Sequence, residues 1–288
     1  NVKTIGNNVF EGCEKLTTLT FEPNMEGTPL TMGFYDASGD TGPFYDSPLT
    51  TLNLNREISY NFGGSTIDDV YEGLFGGKST LVNITLGEQV KTLSLYMFAG
   101  SSIKELVIPG SVKTIANDVF RGCSSLKTIT FEPSPTAEKL TIGFDTNNVD
   151  ESLFVDCPLV SVSIDRELYY TLEGIDVNYK GLFGYKTSLT SVTIGDQLKT
   201  LSPYMFAGNG VKSLNLNKVE TIANNALADL AVTSLTIPGT VTTIGESVFS
   251  GCSKLATITF EPNSSGRELA IGNDSGAGPF VDCPLTTL

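Results

Sequence analysis

The 288-residue chain contains no histidine and no tryptophan. Without histidine it lacks the usual proton shuttle at neutral pH and the commonest transition-metal ligand. Basic residues are also scarce: 18 Lys and Arg stand against 32 Asp and Glu, a net charge of −14. Such a chain repels phosphate backbones and anionic lipid, so nucleic acid is not an expected partner. No apolar run approaches the roughly 20 residues that cross a bilayer, so direct membrane insertion is not expected either. The five cysteines are too few to staple a chain of this size, and an odd number cannot all pair internally. The first residue is not Met, and no charged-then-apolar leader follows it. The chain also stops within a recurring pattern, so we expect it to be part of a longer protein.

What is present is an internal repeat, and it decides the fold. VKTIGNNVFEGCEKLTTLTFEPN at residue 2 returns as VKTIANDVFRGCSSLKTITFEPS at 112 and as VTTIGESVFSGCSKLATITFEPN at 241. Variants of the same skeleton lie between them. Counting from the first apolar residue, units start at 2, 30, 58, 90, 112, 140, 168, 198, 219, 241 and 269, at spacings of 21 to 32 residues. Four unit types, A to D, run in the order ABCD, ABCD, one extra unit E, then AB. The pattern describes one domain over 1–288, a solenoid of about eleven coils.

Each unit carries a stretch such as LTTLTF (16–21) in which apolar and polar residues alternate, the period of a half-buried strand. VKTI is a second extended piece, and NNVFEGC is compatible with one tight helical turn. No segment sustains a 3.6-residue period, so long helices are not expected. One coil cannot bury its apolar side alone, so coils must stack with their strands in parallel sheets. Eleven coils at about 4.8 Å each give a length of about 50 Å. The core is expected to contain a ladder of Phe10, Phe44, Phe75, Phe98, Phe120, Phe154, Phe183, Phe206, Phe249 and Phe280, with Leu227 in its place in the extra unit.

The skeleton V-x-x-I-x-x-x-x-F-x-x-C-x-x-L-x-x-I resembles the BspA-like leucine-rich-repeat family of bacterial surface and secreted proteins, over essentially the whole chain. The resemblance implies a right-handed leucine-rich-repeat solenoid: a parallel β-sheet on the concave face, short strands and helical turns on the convex side. It also implies export to the bacterial cell surface and recognition rather than catalysis.

Cys13, Cys123, Cys157, Cys252 and Cys283 each sit three residues after a ladder Phe. They form either a buried thiol ladder or, in stacked neighbours, the bridges Cys123–Cys157 and Cys252–Cys283. No C-x-x-C pair or histidine makes a metal site, and nothing activates a thiol for catalysis. No enzyme activity and no cofactor are expected. Asp36-x-Ser38-x-Asp40 has calcium-like spacing, but the Gly and distant Glu of a calcium loop are missing.

Two surfaces compete as binding sites. The outward strand positions are mostly Thr, Ser and Asn, from Thr18 and Thr20 to Thr257 and Thr259, a composition that strand propensity alone explains. The long B and C units hold inserts rich in Tyr and Asp, and long loops on a rigid scaffold are where function concentrates. The candidate ligand-binding residues are therefore Tyr60, Tyr71, Tyr169, Tyr170, Tyr179, Asp68, Asp69 and Asp176. The expected function is a non-enzymatic module for adhesion to a host or matrix protein or a glycan. The alternative is a structural spacer that displays another domain away from the cell envelope.

Overall fold

The computed structural model describes residues 2–6, 9–33, 44, 46–60, 73–143, 153–170, 181–263, 266–272 and 278–287. Among them there is no helix; the regular structure is twenty short strands joined by turns. The chain divides into two compact units, one of residues 1–129, 140–145 and 153–157, the other of 130–139, 146–152 and 158–288.

The period-two segments become four-residue strands stacked in parallel without a register slip, except SLNL (213–216), which forms no strand. In the first unit Thr18–Phe21 pairs with Thr51–Leu54, which pairs with Asn83–Leu86, Leu19 lying against Leu52 and Leu52 against Ile84. In the second unit Ser161–Ile164 pairs with Ser191–Ile194, and Ser234–Ile237 with Thr257–Phe260. The hydroxyl and amide side chains of these strands alternate with buried apolar ones, as in Thr51–Leu54 and Ser234–Ile237. The VKTI pieces form a second parallel array: Thr4–Ile5 on Leu30–Met32 on Ile58–Tyr60 in the first unit, Thr200–Leu201 on Thr221–Ile222 on Thr243–Ile244 in the second. Two strands per coil, each paired only with its counterpart in the next coil, make a solenoid. Like residues must then stack on like.

The phenylalanine ladder is the clearest consequence. In the first unit ring centroids follow one another at 4.8, 5.2, 6.1, 6.2 and 5.6 Å from Phe10 through Phe44, Phe75, Phe98 and Phe120 to Phe154. In the second unit Phe183 stacks on Phe206 at 5.7 Å and Phe249 on Phe280 at 5.4 Å. Leu227 is fully buried, as are Phe206 and Phe249.

The turn around Phe98 is not helical, and the backbone shows why. Met97, Ala99 and Ser101 donate to Ser94, Tyr96 and Phe98, three residues back. Tyr96, two before Phe98, has φ 53°, and Gly100, two after it, has φ 68°. A left-handed residue on each side of the ring stops the turn from propagating into a helix. The same positions are left-handed at Asp118 and Gly122, Tyr204 and Gly208, Asn225 and Asp229, and Ser247 and Gly251. This explains the F-x-G-C string: the chain must reverse hand two residues after the ring, and glycine does so without strain.

All five cysteines are free thiols. Of the two readings, the structure therefore takes the thiol ladder. Cys123, Cys157, Cys252 and Cys283 donate to the carbonyls of Phe98, Phe120, Leu227 and Phe249, each the ladder residue of the coil before, at 3.0 to 3.2 Å. The contact with Cys157 pulls the Cys123 thiol down, whereas burial pushes Cys252 up to about 12.

The wide units are braced by side chains that the repeat pattern did not single out. Gln89 exchanges two hydrogen bonds with the backbone of Asn24, 65 residues away, both at 2.8 Å; Gln197 does the same with Ser134 at 3.0 and 3.1 Å. The buried Arg56 donates to the carbonyls of Val2 and Thr28, and the buried Arg166 to that of Glu138. The carboxylates of Glu57 and Glu167 accept the amides of Lys91 and Thr92, and of Lys199 and Thr200. The Arg-Glu pairs at 56–57 and 166–167 thus fix backbone polar groups that the insert-bearing coils leave unpaired by strand ladders.

Candidate functional site

Of the eight candidate residues, Tyr71, Tyr179, Asp68, Asp69 and Asp176 lie outside the described residues, as do the calcium-spaced Asp36, Ser38 and Asp40. The remaining three fall on or just after two equivalent strands, Ile58–Tyr60 and Leu168–Tyr169. Tyr60 ends Ile58–Tyr60, and Tyr169 and Tyr170 hold the matching positions in the second unit. Tyr60 packs down: its hydroxyl donates to the Leu95 carbonyl at 3.3 Å, and burial holds its phenol well above the ordinary range. Tyr170 is buried, and Tyr169, on the opposite face, is 48% exposed with the Lys139 ammonium 6.0 Å from its ring centroid. Strand alternation sorts them. Residues two apart share a face, so Tyr60 follows Ile58 inward and Tyr170 follows Leu168. Tyr169 is the member of the three that presents its ring to solvent.

A second aromatic emerges on the turn edge. The residues two after each ladder ring form a row whose amides each donate to the next coil: Tyr185 to Ala207, Gly208 to Ala228, Asp229 to Ser250 and Gly251 to Val281. Tyr185 is 47% exposed at φ 54°. An aromatic in the left-handed region costs on the order of 1–2 kcal/mol over glycine. The matching position of the first unit is Gly77, at φ 65°. The Tyr185 ring lies on Gly208, where an added Cβ would come within 2.5 Å of Cδ1. Burial, then the Asp229 charge, then Tyr204, push the Tyr185 phenol up. Tyr185 is not among the candidates drawn from the sequence; the signal that singles it out is the alignment of LFGYK (182–186) with LFGGK (74–78), which exposes a tyrosine standing where glycine is at home.

The hydroxyl face carries little that could anchor a ligand. Its side chains are tied to one another, as in the Asn53 amide donating to Thr20 Oγ1 at 3.1 Å, and its large apolar exposure is Val107. A recess of about 450 Å³ opens beside Val2, Ile5, Phe10, Leu19 and Arg56. The matching Val112, Ile115, Phe120 and Ile129 are fully buried while Val2 is 60% exposed, so the recess is a stretch of the core face rather than a shaped pocket. Among the described residues no cluster of acidic, Cys or His side chains could hold a metal, and no helix is long and apolar enough to cross a membrane.

With coils, ladder and turn geometry in place, the family can be stated. The model of the BspA type leucine-rich repeat region matches in six copies, over residues 1–35, 40–171 and 179–274. The chain belongs to the BspA type leucine-rich repeat family. Among solved structures it is similar to a leucine-rich repeat protein from Bacteroides ovatus, at 21% identity and a TM-score of 0.45, over 91% of this chain and 59% of that one. A leucine rich cell surface protein from Faecalibacterium prausnitzii matches at 21% identity and a TM-score of 0.38, over 95% of this chain and 80% of its own. The pneumococcal vaccine antigen PcpA matches at 16% and 0.35, over 91% and 75%. This BspA type chain thus spans 59% of the length of the Bacteroides protein. No curated protein matches it in sequence.

Proposed function

We propose that this BspA type repeat chain is a non-enzymatic recognition module, displayed at or released from a bacterial surface, that binds a protein or glycan through side chains standing out from the rigid ladder. The supporting observation is Tyr185: a half-exposed aromatic held in a backbone conformation that its own sister coil fills with Gly77. A spacer gains nothing from such a residue, because glycine would be more stable there. Exposed Tyr169 adds a second anchor of the same kind. Several weak contacts on one stiff scaffold sum through multivalency.

The test is a capture screen of the chain on immobilised matrix proteins and a glycan array. Saturable capture of at least one target supports recognition. Silence on both leaves the structural spacer as the function.

A further inference from the structure

We propose that Tyr185, the Gly208 backbone on which it rests, and Asp229 form a subsite for the pyranose ring of a neutral glycan. The proposal rests on the reading of the chain as a recognition module and gives that reading a position and a ligand class. Tyr185, Gly208 and Asp229 are consecutive in the turn row, joined by amide-to-carbonyl bonds from each coil to the next. Tyrosine and aspartate backbones are thus two coils apart, about 10 Å at sheet spacing. The ring bridges that gap by lying over the glycine: an added Cβ at Gly208 would approach Cδ1 and Cε1 to 2.5 and 2.8 Å. The Cδ1–Cε1 side of the ring is therefore seated over the glycine, and the residue remains 47% exposed. Asp229 is exposed and itself left-handed at φ 57°, and its carboxylate leans across Gly251, with Oδ1 2.0 Å from where a Cβ there would sit.

The arrangement suits a sugar. A flat aromatic side chain takes the C–H face of a pyranose, and a carboxylate two coils on, near enough for its charge to act on the phenol, accepts the hydroxyls of a sugar that extends past the ring. The carboxylate of Asp229 is the charge that acts most on the phenol, and the chain carries −14, so a sulfated or uronic-acid glycan is disfavoured. The first unit serves as an internal control. There the same row reads Gly77, Gly100 and Gly122, with neither ring nor carboxylate, and the space over Gly100 meets nothing nearer than Gly77 at 3.5 Å.

The experiment is a titration of the whole chain with the β-1,4-linked tetramer of N-acetylglucosamine and with maltotetraose, followed by saturation-transfer NMR and calorimetry. The wild type should bind at least one of them with one site per chain. Tyr185→Gly, which installs the sister coil's residue, should cut affinity tenfold or more with an unchanged or higher melting temperature. Asp229→Asn should weaken binding, and Tyr185→Phe should retain most of it. Grafting Gly77→Tyr with Gly122→Asp should raise the stoichiometry from one to two. Equal affinity in wild type and Tyr185→Gly overturns the subsite, as does capture of protein targets with no binding of either sugar; both outcomes leave the recognition reading standing. A chain that captures neither sugar nor any target in the wider screen overturns the subsite and the recognition reading together.

Discussion

Replacing Phe120 by alanine should cost about 3–5 kcal/mol, the usual range for truncating a fully buried phenylalanine. Phe120 is fully buried, with Phe98 at 6.2 Å on one side and Phe154 at 5.6 Å on the other, the latter pair only 2° from parallel. Removing the ring deletes two stacking contacts as well as the burial of one side chain. Neighbouring coils cannot close the gap, because their spacing is fixed by the strand ladders on two sides. The chain supplies its own calibration. Phe120→Leu reproduces what Leu227 already does at the equivalent rung, so it should cost no more than about 1.5 kcal/mol. Phe10, half-buried and stacked on Phe44 alone among the described rings, should cost clearly less than Phe120 when cut to alanine. The assay is urea unfolding followed by circular dichroism, with the slope compared between variants so that a change in cooperativity is not mistaken for a change in stability. A loss below about 1 kcal/mol for Phe120→Ala, or equal losses for Phe10→Ala and Phe120→Ala, would refute the ladder as the source of stability.

Three further outcomes follow from the turns and braces. Gly181→Ala should destabilise by about 2 kcal/mol or more, because its Cβ would lie 1.9 Å from the Tyr204 carbonyl at φ 72°, whereas Gly278→Ala, with nothing within 4 Å, should be close to neutral in the same melts. Gln197→Ala should cost about 1–2 kcal/mol by orphaning both backbone partners on Ser134, and the amide exchange of Ser134 should quicken selectively. Burial pushes Lys78 down to about 8, against the Asp46 charge, while the unfolded side chain keeps the ordinary 10.5. Between those values the unfolded state binds the extra proton, so stability should rise with pH across that window, and Lys78→Met should flatten the rise.

The sequence made the repeat, the strand positions and the ring ladder legible, because a solenoid can only bury what recurs. Every rung needs one large apolar side chain at one place, and Phe98, Phe120 and Phe154 announce that place without any structure. The left-handed turns were hidden where their residues are not the usual formers: Gly100 and Gly122 signal them, but Tyr96, Tyr204 and Tyr185 do not. Reading NNVFEGC and its counterparts as one tight helical turn misses the reversal of hand on either side of the ring, seen in NDVFRGC (117–123) at Asp118 and Gly122. The braces were hidden because Gln89 and Gln197 act on loops more than 60 residues away, a distance that no local pattern encodes. Among the candidate tyrosines, alternation within ISY (58–60) and LYY (168–170) held the answer, since residues sharing a face with Ile58 and Leu168 point inward. What composition could not separate was an aromatic that covers the core, such as Tyr60, from one that stands out of it at a backbone cost, such as Tyr185.

In the proposed function the scaffold carries stability and the surface side chains carry recognition. The most direct measurement is therefore paired: melting temperature and target capture of the wild type beside a variant with Tyr169→Ala and Tyr185→Gly, on matrix proteins and glycans together. The expected result is an unchanged or higher melting temperature with capture lost. Capture that persists undiminished in the variant, or that falls only in step with stability, would contradict it.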